Sequence, residues 1–210
     1  MEPPRAPRQE ASGPHTVAHT ARLRLDAVVP DDLDEHFRLL SDPAVWAHSP
    51  EGRHTSPERT AEAIAHAVGH WERDGLGYWT ARLLVDLAGT PLRAGAVVGT
   101  GGCAVRAGTA WWNLYYRFTP AAWGHGLAAE LVDAAQAAAR QVDADRPLVA
   151  VLLEPNVQSR GRAERAGLSL AWRGPDAGNP DPSAVRLVYA DRPLPDASWP
   201  ASPPIPEPFG

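Results

Sequence analysis

The chain has 210 residues and no lysine; all 20 of its basic side chains are arginine. That absence excludes a lysine Schiff base and the lysine of a phosphate-binding P-loop. A single cysteine, Cys103, excludes an intrachain disulfide and fits a reducing compartment, with packing in a strand as its simplest role. No apolar run approaches the roughly 18 residues of a membrane span. The opening MEPPRAPRQE lacks the apolar core of a signal peptide. The expectation is a cytoplasmic protein with no membrane partner. Positive charge is also short: the formal net charge of −5 argues against a nucleic-acid surface as the main function, because phosphate contacts need clustered cations, and leaves room only for a local basic patch.

What is present is ordinary for one α/β domain: 44% hydrophobic and 21% charged residues. Residues 1–19 and the proline-dominated 191–210 read as tails, with Trp199 as a possible anchor of the second. Between them, Arg22–Val28 alternates as a half-buried strand does, and Pro30–Leu40 opens with acids that suit a helix N-terminus. Ser56-Pro57 caps a second helix running to Arg73. Three runs, Tyr78–Leu87, Ala96–Val105 and Thr109–Phe118, suggest an antiparallel meander. Leu127, Leu131, Ala135, Ala138 and Val142 share one face of a third helix. Leu148–Leu153 reads as a central strand, Asn156–Ala166 as a helix closed by Gly167, and Leu168–Arg173 and Ala184–Ala190 as final strands. The order is β-α-α-β-β-β-α-β-α-β-β.

The stretch FTPAAWGHGLAAEL, residues 118–131, places Gly124 and Gly126 at a helix start. Glycine there costs about 1 kcal/mol relative to alanine. A turn needing positive φ explains it. So does an anion lying against bare amides at the positive end of the helix, and the strand leading in and amphipathic helix leading out favour that reading. GTGGCA, residues 99–104, has the glycines of a dinucleotide fingerprint but runs into strand and turn residues where a helix is required, so it reads as glycines within a strand. A nicotinamide-dependent enzyme is weak for that reason. His66 and His70 have metal-pair spacing with no third ligand in view, and no metal is expected. Trp111, Trp112, Tyr115 and Tyr116 read as core and pocket wall. Asn156 suits a helix cap and Ser159 an idle hydroxyl when each is taken alone.

Together these stretches resemble the GNAT superfamily of acyl-CoA-dependent N-acetyltransferases, in particular its RimJ/RimL-like branch. TARLRLDAVVPDDLDEHFRLLSDPAV is similar to that branch's opening, WGHGLAAEL to its coenzyme A loop and NVQSRGRAERAGL to its late helix, so that the resemblance covers roughly residues 20–190. It implies a mixed, mostly antiparallel, twisted sheet in which the middle strands Thr109–Phe118 and Leu148–Leu153 splay apart. Acetyl-CoA is then the implied cosubstrate. Its pantetheine would pair with backbone near Phe118, and its pyrophosphate would take the amides of Trp123, Gly124, His125, Gly126, Leu127 and Ala128. Many members use a tyrosine on the late helix to protonate the departing thiolate; Ala163 stands there. The branch implies Ser159 in that role, with Asn156 holding the pantetheine amide. His125 stands where an arginine is usual between the glycines, and Gly161-Arg162 interrupts the late helix's apolar spacing.

An amine of pKa about 8 to 10 must lose a proton before attack, so a base is expected. Glu154, the acid nearest the splay, is the expected base, with a strand-end carboxylate in solvent as its alternative. The resemblance puts Asn113 on the fourth strand where some relatives carry an acid, and His48 and His54 in the loop that borders the acceptor pocket. The implied activity is acetyl transfer to a primary amine, either a protein N-terminus or a small molecule, by direct attack in a ternary complex. The alternative is a non-catalytic acyl-CoA-binding module of the same fold. Monomer and homodimer both remain open.

Overall fold

A computed structural model describes residues 13–177 and 179–194. The outer tail segments, Trp199 among them, lie outside the described residues. Eight strands form one sheet, in the order β1-β2-β3-β4-β5-β6-β8-β7. They are β1 (Val17–His19), β2 (Leu23–Ala27), β3 (Tyr78–Leu83), β4 (Val97–Val105), β5 (Trp112–Phe118), β6 (Leu148–Leu153), β7 (Ser169–Pro175) and β8 (Val185–Ala190). All neighbours are antiparallel except β5 and β6, whose crossover carries a helix. The helices are α1 (Leu33–Leu40), α2 (Pro57–Asp74), α3 (Leu127–Val142) and α4 (Val157–Arg165).

Most elements follow from local chemistry. Ser56 accepts from the Arg59 N–H and Pro57 fills the first position of α2, which Gly75 ends in a left-handed turn at φ 69°. On α3, Leu127, Leu131, Ala135 and Ala138 are buried, but Val142 is exposed because the helix is leaving the sheet there. The GTGGCA glycines lie inside β4, where a Cβ at Gly99 would sit 2.5 Å from the Arg117 carbonyl and one at Gly101 2.5 Å from the Tyr115 carbonyl. Their job is close strand approach, not nucleotide binding. Cys103 is fully buried beside them, and burial pushes its thiol pKa up.

Two boundaries differ from the expectation. Val17–His19, placed in the tail by its polar surroundings, pairs with β2 as an edge strand; three residues are too few for a legible alternation. At the other end, Asp191 joins the fold through its backbone and carboxylate, which bond the carbonyl and amide of Leu148.

The core forms in two main layers. One gathers Leu23, Leu25, Trp79, Leu114 and Phe118 with α3, and the other packs Tyr78, Ala104 and Tyr115 under α1 and α2. Adjacent residues of β5 therefore face opposite layers, as strand alternation requires. Leu114 and Phe118 look towards α3, and Tyr115 looks towards α1 and α2.

Candidate active site

β5 and β6 pair only at Trp112–Leu148 and Asn113–Val149, and then separate. The Trp112 N–H bonds Pro147 on the β6 side, whereas the Thr119 N–H bonds Val98 on the β4 side. The alternation between them turns the main-chain groups of Leu114, Tyr116 and Phe118 into the opening. The gap opens a cleft of ≈ 250 Å³ that reaches both faces of the sheet.

On the α3 face the cleft is walled by Tyr116, Asn156 and Ser159. Asn156 caps α4, its Oδ1 accepting from the Ser159 N–H at 3.1 Å. The capping role and the site role are thus compatible, because the cap uses only the oxygen and the amide nitrogen stays available. The Tyr116 hydroxyl donates to Ser159 Oγ at 3.3 Å, which leaves the serine's own proton free to be given away. Burial, as the largest cause, pushes the Tyr116 pKa up against the opposing effects of Ser159, Arg162 and Arg165, so the phenol stays protonated. Sequence reading placed Tyr116 only in the pocket wall. Its pairing with Ser159, 43 residues away, has no local signature.

The glycine turn stands at the start of α3. Gly124 and Gly126 take φ 80° and 79°, and a Cβ on Gly124 would meet nothing within 4 Å, so backbone shape rather than crowding requires glycine. Among the described residues no main-chain bond engages the amides of Gly124, His125, Gly126, Leu127 or Ala128. Trp123 differs: its N–H is taken by the Pro120 carbonyl, and its half-exposed indole donates to the Phe118 carbonyl at 2.8 Å. The expected six amides are five, and the Phe118 carbonyl already has one partner. A cation also stands near the turn. The Arg22 guanidinium, held by Glu130 at 2.6 Å, lies 3.5 Å from where a Gly126 Cβ would be.

Glu154 does not reach the cleft. Its carboxylate is clasped by Arg173 at 2.8 and 3.1 Å on the solvent side, and the hydrogen bond from that guanidinium, chiefly, holds its pKa below the ordinary range. Both properties are those of a poor base. His54 is buried under Trp46 and bonded to Thr60 at 2.8 Å, a structural histidine. Of the metal-spaced pair, His70 is buried against Tyr78, whereas His66 is exposed. His48 and Asn113 do line the cleft, on the α1–α2 face. Burial first, and then the Arg117 charge, lower the His48 pKa to about 4, so the ring is neutral near pH 7.

A strand pair that parts midway, beside a helix start whose amides face outward, defines an acyltransferase fold and site. Residues 22–169 match the acetyltransferase (GNAT) domain family, and the chain belongs to that family. Solved structures agree at the level of fold. A putative GnaT-family acetyltransferase from Bordetella pertussis is 20% identical, with a TM-score of 0.68 over 84% of this chain and 99% of that one. An acetyltransferase from Agrobacterium tumefaciens is 23% identical at TM-score 0.63, over 88% and 98%. The acetyl transferase from Salmonella typhimurium that modifies the N-terminal serine of ribosomal protein L7/L12 is 15% identical at TM-score 0.66, over 84% and 97%. No curated protein matches the sequence.

Proposed function

We propose that the protein moves an acetyl group from acetyl-CoA to a primary amine, by direct attack in a ternary complex formed across the β5–β6 gap. The observation that carries this reading is the set of five amides, Gly124 to Ala128, left without main-chain partners at a helix start beside that gap. Five N–H groups without main-chain partners, with the helix dipole behind them, suit a pyrophosphate without any lysine. Arg22, fixed in place by Glu130, supplies a cation beside the turn. The open backbone edge of β5 suits the amides of a pantetheine arm, and Asn156 adds a side-chain donor to it.

In this reading the amine nitrogen attacks the thioester carbonyl, whose growing negative charge is met by a backbone N–H of the opened β5 edge. The C–S bond then breaks and the sulfur takes a proton from Ser159, which is replenished from Tyr116, and Tyr116 in turn regains a proton from the cleft water that accepts the amine's. That relay fills the place left by Ala163. Glu154 could serve as base only after releasing Arg173, so the amine's proton is assigned to water in the cleft. A likeness to ribosomal-protein acetyltransferases supports a protein N-terminus as one acceptor, and a small amine is the other.

Thermal unfolding with and without acetyl-CoA, with NAD as control, tests the reading. At about 100 times its dissociation constant a ligand adds about 2.7 kcal/mol, roughly 5–10 °C for a chain of this size. A shift with acetyl-CoA alone is expected; none at saturation overturns the proposal.

A further inference from the structure

The face of the cleft away from α3 has a charge pattern that acetyl transfer alone does not require. Four of the five arginines that line the cleft stand on this face, Arg59, Arg106, Arg117 and Arg186, with Arg162 of α4 opposite, and the lining carboxylates are two, Glu51 and Asp176. Asp176 is committed to Arg186. His48 adds no charge near pH 7. An acceptor amine entering here as an ammonium ion would be repelled, unless it brought its own negative charge.

Arg117 is the most exactly held of these cations. It projects from β5 towards α1 and α2, and its guanidinium carbon lies 3.5 Å over the Trp46 ring. One nitrogen donates to the Val45 carbonyl at 3.1 Å and approaches His48 Nε2 at 3.4 Å. Trp46 is itself fixed, by its indole donating to the Leu40 carbonyl at 2.7 Å and by Gly52 lying flat on its ring. Among the described residues no carboxylate pairs with this arginine; its buried Nε–H has only the Tyr115 side chain beside it, and no well-formed hydrogen bond. A cation held on a cleft wall without a counter-charge suits an anionic ligand group.

We propose that the acceptor is an amine carrying a carboxylate a few ångströms from its nitrogen, and that Arg117 on its Trp46 platform binds that carboxylate. This rests on the acetyl-transfer reading above and names the substrate class for it. The arrangement also serves the chemistry, since fixed cations around the nitrogen disfavour its ammonium form and so reduce the need for a strong base. A free amino acid and a peptide beginning with Asp or Glu present the same chemistry.

The test uses matched pairs: an amino acid against its carboxamide, and an Asp-led peptide against its Asn-led counterpart. Each is read twice on the full chain, by release of CoA from acetyl-CoA and by the unfolding midpoint with CoA present. The expected result is a kcat/KM at least about tenfold higher for the carboxylate member of one pair, as a charged hydrogen bond is worth. Whichever pair shows the preference identifies the source. Arg117→Met brings the two members together, chiefly through KM, while Arg117→Lys keeps the preference in part. An intact acetyl-CoA midpoint shift shows that either variant is folded; if Arg117→Met does not fold, the wild-type comparison decides alone. Equal treatment of both members in both readouts overturns the inference, as does failure of every carboxylate-bearing amine to bind or react. Discrimination in binding with no CoA released would keep the anion site and overturn the acetyl-transfer reading instead.

Discussion

At the residue scale, the Tyr116–Ser159 pair and His48 give the sharpest expectations. If Ser159 is the proposed proton donor to the leaving sulfur, Ser159→Ala should lower kcat on the order of 10²-fold, as loss of a general acid does, with acetyl-CoA affinity nearly unchanged. Tyr116→Phe should lower it by roughly tenfold, and the double variant should be little worse than Ser159→Ala, since two members of one relay are not additive. Steady-state rates of CoA release decide this; full additivity would separate the two residues. His48 has a folded pKa of about 4 against an ordinary 6.5. Between those values the unfolded chain binds a proton that the folded one refuses, so stability rises with pH across that window and is lost as pH falls. Solvent screening of the half-buried ring holds the loss to roughly 1–2 kcal/mol. Urea unfolding at pH 7 and pH 4.5 should show a flatter dependence for His48→Gln, and an unchanged slope would show that another group controls acid stability.

At the element scale, the glycine turn before α3 can be separated from an ordinary turn. Gly124 and Gly108 both have positive φ and open space around a would-be Cβ. Alanine at either position should cost about 1 kcal/mol through left-handed backbone strain. Only Gly124→Ala should also weaken acetyl-CoA, by about tenfold, because only there would a ligand lie against bare backbone. Isothermal titration of both variants measures it; equal affinities would reduce the loop to a turn. Elements such as α2 and α3 were legible because caps, periodicity and left-handed glycines are local signals. β1 was not, since three residues acquire strand geometry only from β2 alongside. Nor was the fate of Glu154, which depends on an arginine 19 residues further along the chain.

At the scale of the whole molecule, a buried polar network ties the start of the chain to the sheet. Asp32 accepts from the Val29 N–H, from Thr80 at 2.7 Å and from Arg82 at 2.7 Å, and Thr80 in turn meets the buried ring of His36 at 2.9 Å. Asp32→Ala leaves these groups and the Arg82 charge without their common partner, and should destabilise the protein by roughly 3 kcal/mol in urea unfolding. A loss below about 1 kcal/mol would mean that the network merely tolerates burial. This network joins α1 and the turn before it to β3. The sequence by itself determined the element order from β2 onwards, the coenzyme-like turn and the late helix with Asn156 and Ser159, because each is written in neighbouring residues through capping, periodicity and backbone preference. Only the tertiary structure decided that Tyr116 bonds Ser159, that Arg22 stands beside Gly126, that Glu154 is clasped by Arg173 and that Arg117 faces the cleft with no carboxylate partner among the described residues. Those are relations between strands and helices far apart in the chain, and they exist only once the sheet has brought them together.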